Sequence, residues 1–90
     1  MYARTTVVSN ASGLHARPAA VFAKTASGFE SNVTVRKNEA GSQAQNARSI
    51  LGLMALGLNC GAEIEIAASG VDEQTAVNAL VELVESGCGE

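Results

Sequence analysis

At 90 residues, 47% hydrophobic and 17% charged, the chain (residues 1–90) suits one compact domain with a modest core and is too short for two. Aromatic residues make up only 3%, and six Lys and Arg against nine Asp and Glu give a formal charge of −3. Without stacking aromatics or a basic run, nucleic-acid binding is disfavoured, and no apolar stretch reaches the roughly 18 residues of a membrane span.

The first segment, "YARTTVVS" (Tyr2 to Ser9), is rich in Tyr, Thr and Val and predicts a strand that begins at once, without a charged and then apolar leader. The expected compartment is therefore the cytoplasm. "NASG" supplies turn residues, and Ala19, Phe22, Ala23 and Ala26 then recur at steps of three and four, predicting a helix over Ala16 to Ser27. Gly28 is expected to close it in the left-handed conformation, with Phe29 folding back onto Ala23 or Lys24. "NVTVRK" alternates as a strand, and a turn through Asn38 to Gly41 leads to a short polar strand over Ser42 to Gln45.

"NARSILGLMALGL", Asn46 to Leu58, begins with capping residue types and predicts a second helix broken at or before Gly57. "AEIEIAAS", Ala62 to Ser69, reads as a half-buried strand. A last helix, about Asp72 to Ser86, carries Ala76, Val77, Leu80, Val81 and Val84 on one face, with Gly87 as its stop. The order β-α-β-β-α-β-α in so short a chain favours an α+β sandwich of two layers, a sheet covered on one face. Cys60 and Cys88 are unpatterned and read as free thiols, packed or incidental.

The chemistry concentrates in "GLHARPAA", Gly13 to Ala20, which holds the only histidine and the only proline. A lone imidazole cannot build a multi-histidine metal site, and no hydrolase signature surrounds it. It can act as a nucleophile at neutral pH. If Ala16 starts the helix, its N–H and that of Arg17 are unpaired donors at the positive end of the helix dipole. Arg17 adds a guanidinium suited to phosphate oxygens, and Pro18 fits the first turn, where its missing N–H matters little. Such a site accepts a phosphoryl group by in-line attack and holds it as a phosphoramidate. With no Gly-rich nucleotide loop and no Mg²⁺-binding carboxylate cluster, the donor expected is another protein's phosphohistidine. The residues alone leave open an exposed or capping histidine beside an ordinary helix start.

"GLHARPA" and "NARSILGLMALGL" followed by "GAEIEIAASG" together resemble the histidine-containing phosphocarrier (HPr) family of the bacterial phosphoenolpyruvate-dependent phosphotransferase system, nearly end to end. The resemblance implies an open-faced β-sandwich, a four-stranded antiparallel sheet with three helices. It implies that His15 is phosphorylated on Nδ1, that Arg17 and the amides at Ala16 and Arg17 stabilise the phosphoryl group, and that Ser12 helps order the site. The partners implied are Enzyme I as donor and sugar-specific IIA components as acceptors, with no cofactor and no metal.

Ser49 matches the serine that a regulatory ATP-dependent kinase phosphorylates in some relatives; alternatively, it is an N-cap alone. Ile50, Leu51 and Met54 are implied to form an exposed docking patch, with Leu53 and Leu56 in the core. A carrier that meets two partners in turn is expected to be a monomer. The longer hairpin "KNEAGSQAQNARS" and the ending "ESGCGE" leave open a nitrogen-branch or fructose-system relative. A purely regulatory binding protein, or an α+β module with an incidental histidine, are the other readings.

Overall fold

The structure, a computed structural model, describes residues 1–11 and 13–88. Its elements are β1 (Tyr2–Val7), α1 (Ala16–Ser27), β2 (Asn32–Lys37), β3 (Gln45–Asn46), α2 (Ile50–Ala55), β4 (Glu63–Ser69) and α3 (Glu73–Glu85). The strands form one antiparallel sheet in the order β1-β4-β2-β3. This is the open-faced sandwich, in the element order expected.

Alternation along the strands decides which side is covered. Ile64, Ile66 and Ala68 of β4 and Val33 and Val35 of β2 are buried against the helices. On the other side, Arg36 Nε donates to Glu65 Oε1 at 3.0 Å across the β2–β4 pair. From above, α1 contributes Ala19, Phe22, Ala23 and Ala26, and α3 contributes Ala76, Val77, Leu80, Val81 and Val84. Phe22 is the largest fully buried side chain, so the core is filled mainly by aliphatic residues. Each helix buries one face at the spacing expected of an amphipathic segment.

Several boundaries differ from the sequence expectation. β1 ends at Val7 instead of Ser9 because the chain there turns its hydrogen bonds to the segment before β4, Val8 N–H donating to the Ala62 carbonyl at 2.9 Å. Gly28 stays right-handed, at φ −77° and ψ −8°. The last turn of α1 tightens instead, with Gly28 N–H donating to Thr25 O and Phe29 N–H to Ala26 O.

The short third strand lies at Gln45–Asn46, not Ser42 to Gln45. Ser42 is used earlier, its Oγ accepting from Lys37 N–H at 3.0 Å, while Ala47 N–H donates to Val33 O and the Ala47 side chain enters the core. α2 consequently begins at Ile50, not Asn46, and ends at Ala55, before Gly57 as expected. Ser49 is its N-cap, accepting from Gly52 N–H at 3.0 Å.

The link between α1 and β2 is clamped from two sides. Arg48 Nη2 donates to Phe29 O at 2.7 Å and to Ser31 O at 3.3 Å. Asp72, at the start of α3, accepts from the Glu30 and Ser31 N–H groups, each at 2.9 Å, and from the Ser31 hydroxyl. The Ser31 hydroxyl and then the Glu30 amide hold the Asp72 carboxyl below its ordinary value of 3.8.

A carboxyl whose pKa is lowered by folding stabilises the fold fully above its unfolded pKa and loses that contribution as pH falls through the folded value. We therefore expect the urea midpoint of the native chain to fall more between about pH 7 and about pH 3 than that of Asp72→Asn, which has no charge to lose. Parallel slopes for the two proteins would show that this clamp does not contribute to the pH dependence.

Candidate functional site

The loop between β1 and α1 is pinned at both ends to the segment before β4. At its entrance, Val8 N–H donates to Ala62 O (2.9 Å) and Gly61 N–H to Val8 O (2.8 Å). At its exit, Leu14 N–H donates to Leu58 O at 2.8 Å. Gly13, at φ +72°, occupies the left-handed region, and a Cβ there would lie 2.4 Å from Leu58 O and 2.9 Å from Asn59 Cα. A side chain is excluded twice, by backbone conformation and by contact. Leu14 is buried, so the residue after it is delivered to the surface.

That residue is His15, the exposed N-cap of α1, extended at φ −80° and ψ −168°. Its carbonyl accepts the Ala19 N–H at 2.9 Å, while its ring does not cap the helix. Ala16 and Arg17 are exposed as the first two helical residues, and among the described residues no acceptor takes their N–H groups. Pro18 is buried at the third position and has no N–H to satisfy. The first turn of α1 contains no acidic residue. No carboxylate among the described residues pairs with Arg17 or Lys24, both exposed. The arrangement offers an imidazole, two amide donors, a helix dipole and a free-standing guanidinium at one exposed point, a site for an anion.

α1 and α2 pack together and run antiparallel, since Leu58 just beyond α2 meets the start of α1, while Arg48 just before α2 meets Phe29 beyond the end of α1. Gly13, His15, Ala16, Arg17 and Pro18 therefore cluster at one end of the pair. Ser49 is half-buried at the other end, about 18 Å away along α1 at 1.5 Å per residue. Between them, Ile50, Leu51 and Met54 share one face of α2 and are 40%, 80% and 42% exposed. Leu53 on the opposite face is fully buried, and Leu56 is half-buried against the core. Ser12 lies outside the described residues.

Charge is segregated in a way that net charge conceals. Residues 1–29 and 40–62 contain no Asp or Glu, so α1, α2 and the residues directly before each helix carry Arg17, Lys24 and Arg48 without a carboxylate. Lys24 and Arg48 were not singled out by motif; the signal for them is this absence of acids over two long stretches.

Of the thiols, Cys60 is exposed, with Sγ 3.9 Å from Ser9 O, and Cys88 is buried; neither is in a disulfide. Among the described residues no three His, Cys, Asp or Glu side chains are grouped to hold a metal ion, and no helix is long and apolar enough to cross a membrane.

Residues 2–86 match the protein family described as the PTS HPr component phosphorylation site. The chain is similar to the phosphocarrier protein HPr of Treponema pallidum, 37% identical over 86 residues that cover 96% of this chain and 94% of that protein. It is also 36% identical over 83 residues to the multiphosphoryl transfer protein of Vibrio cholerae, covering 92% of this chain and 21% of that longer protein. Among solved structures, HPr-C-His from Thermoanaerobacter tengcongensis superimposes with a TM-score of 0.89 at 46% identity, covering 100% of this chain and 98% of the other.

The close approach at Gly13 makes a quantitative prediction. Gly13→Ala combines left-handed strain of about 1–3 kcal/mol with a backbone overlap of about 1–3 kcal/mol, so a loss of about 2–6 kcal/mol is expected in urea unfolding. Gly41→Ala is the comparison, since Gly41 also has a positive φ but nothing lies near its Cβ position. That variant is expected to lose only about 1–2 kcal/mol.

Proposed function

The chain belongs to the HPr family of phosphotransferase-system phosphocarriers, and from that premise we propose that His15 is the residue that carries the phosphoryl group, received from phospho-Enzyme I and passed to sugar-specific IIA components. The observation that supports this reading is the exposed His15 ring at the N-terminus of α1, beside two amides and an Arg17 guanidinium that have no partner among the described residues.

In this mechanism the Nδ1 lone pair of a neutral imidazole attacks phosphorus, forming one P–N bond as the donor's P–N bond breaks, and the ring proton stays on Nε2. Amides of Ala16 and Arg17, with the Arg17 guanidinium, hold the equatorial oxygens, where negative charge is greatest in a loose transition state. Transfer to the acceptor reverses the same steps. No nucleotide or metal enters, since both bonds exchanged are phosphoramidates. The protein acts as a stoichiometric intermediate and not as a catalyst.

Docking uses the α1–α2 face. Ile50, Leu51 and Met54 supply an apolar centre, and Arg17, Lys24 and Arg48 a basic rim, which fits partners with an acidic surface around an apolar pocket. Because donor and acceptor must use this one face in turn, the carrier works as a monomer, in the cytoplasm. Ser49, whose hydroxyl already caps α2, is the regulatory site: a dianionic phosphate there is tolerated by the helix dipole yet repels an acidic partner surface. A kinase that phosphorylates Ser49 from ATP is the further partner this implies.

With Enzyme I and phosphoenolpyruvate, the native chain is expected to gain acid-labile phosphate and His15→Ala none. Arg17→Ala is expected to be labelled about 10–100-fold more slowly, from the loss of a charge-assisted hydrogen bond of about 1.5–3 kcal/mol. An unlabelled native chain, or equal labelling of His15→Ala, overturns the proposal. For Ser49, ATP and a bacterial kinase extract should add acid-stable phosphate to the native chain but not to Ser49→Ala. Equal acid-stable labelling of both would remove the regulatory role.

A further inference from the structure

We propose that Asn10 is a positioning residue for phosphoryl transfer, holding the one peptide group that sets where His15 stands; the inference rests on His15 being the acceptor. Asn10 lies in the middle of the pinned loop and is only 8% exposed. Burying a side-chain amide costs hydration, and its Nδ2 recovers part of that cost by a hydrogen bond within the loop.

Its Nδ2 donates to the Gly13 carbonyl, and Gly13 N–H donates to the Asn10 carbonyl at 2.9 Å, so the two residues close the loop by bonds in opposite directions. Gly13 O belongs to the same peptide group as Leu14 N–H, which donates to Leu58 O at 2.8 Å. The Gly13–Leu14 peptide is thus gripped at both polar ends, its oxygen by Asn10 and its N–H by Leu58.

Because a peptide group is rigid and planar, gripping both ends fixes its rotation about the chain. That rotation sets the direction in which Leu14 and then His15 leave the loop. Without the Asn10 bond, one grip remains and the plane can rock about it. The imidazole and the Ala16 and Arg17 amides then lose their shared alignment on the phosphorus, and misplacement by about 1 Å can cost about 10²-fold in rate. Asn10 is buried in the loop before α1, away from the exposed surface that Ile50, Leu51 and Met54 present, so encounter with the partner is expected to be unaffected.

Steady-state phosphorylation by Enzyme I and phosphoenolpyruvate, with this protein as the varied substrate, separates the two effects. Asn10→Ala is expected to lower kcat about tenfold or more with KM within about twofold of the native value. Asn10→Asp, which keeps the volume but offers no N–H, is expected to be as slow. In both, hydrogen exchange at the Leu14 amide should quicken about tenfold. Val77→Ala, a destabilising change in the sheet-facing side of α3, should leave kcat unchanged while the protein remains folded. Should Asn10→Ala fail to fold, Asn10→Ser, with a smaller void, carries the same expectation.

Native kcat in Asn10→Ala or Asn10→Asp overturns the inference, and so does an equal loss in Val77→Ala, which would reduce the effect to stability. A rise in KM alone overturns it as well, because it would put Asn10 in docking. A native protein that takes no phosphate on His15 is a separate outcome, one that removes the acceptor reading itself.

Discussion

The Leu14 N–H bond to the Leu58 carbonyl is the contact on which the rest of the site depends. It joins the start of α1 to the end of α2 at a place where Gly13 approaches so closely that no side chain fits. The bond, the buried Leu14 side chain and the left-handed Gly13 together direct His15 outward while its carbonyl opens the helix. The helix N-terminus is what makes the position chemically useful, since two amides there have no helical partner by geometry alone. An exposed imidazole elsewhere on this surface would have neither those donors nor the dipole. Fold and chemistry therefore meet in a single backbone contact between two segments more than forty residues apart.

The distribution of charge matters more than its sum. A net charge of −3 suggests an acidic molecule, yet among the described residues the helical face around the site carries only cations, and the carboxylates lie in the sheet, in α3 and in the loops beside them. Exposed pairs contribute little to stability at such positions. A one-signed face instead acts at encounter, where it raises the on-rate of oppositely charged partners and orients them. Among the described residues, the same absence of carboxylates leaves Arg17 available to a bound anion.

Helix α1 was legible in the sequence from end to end because its signals are local: apolar residues at three- and four-residue steps, and a proline tolerated only in the first turn. The boundaries that moved depend on tertiary contacts. Burial of Ala47 and its bond to Val33 O draw Asn46 into the sheet and delay α2 to the Ser49 cap, whereas capping residue types alone made Asn46 an equally good start. Gly28 stays right-handed although a glycine after a helix usually signals the opposite, with the following segment tied by Arg48 and Asp72. Within the site, the motif identified His15, Arg17 and Pro18. The role of Asn10 could not be read, because its acceptor is a backbone oxygen whose position is known only once the loop has closed.

The separation of His15 from Ser49 limits how one can influence the other in the proposed cycle. Two dianionic phosphates about 18 Å apart repel by about 0.9 kcal/mol in water before screening. With a Debye length of about 8 Å at physiological salt, that falls to about 0.1 kcal/mol, far below what is needed to stop transfer. The dipole of α2 offers no route either, since its effect fades within a single turn. What lies between the two ends is the apolar row of Ile50, Leu51 and Met54, exposed on the face proposed for docking. In the proposed cycle a phosphate on Ser49 therefore acts on the complex, by placing uncompensated charge against an acidic partner surface, and leaves the intrinsic reactivity of His15 as it was.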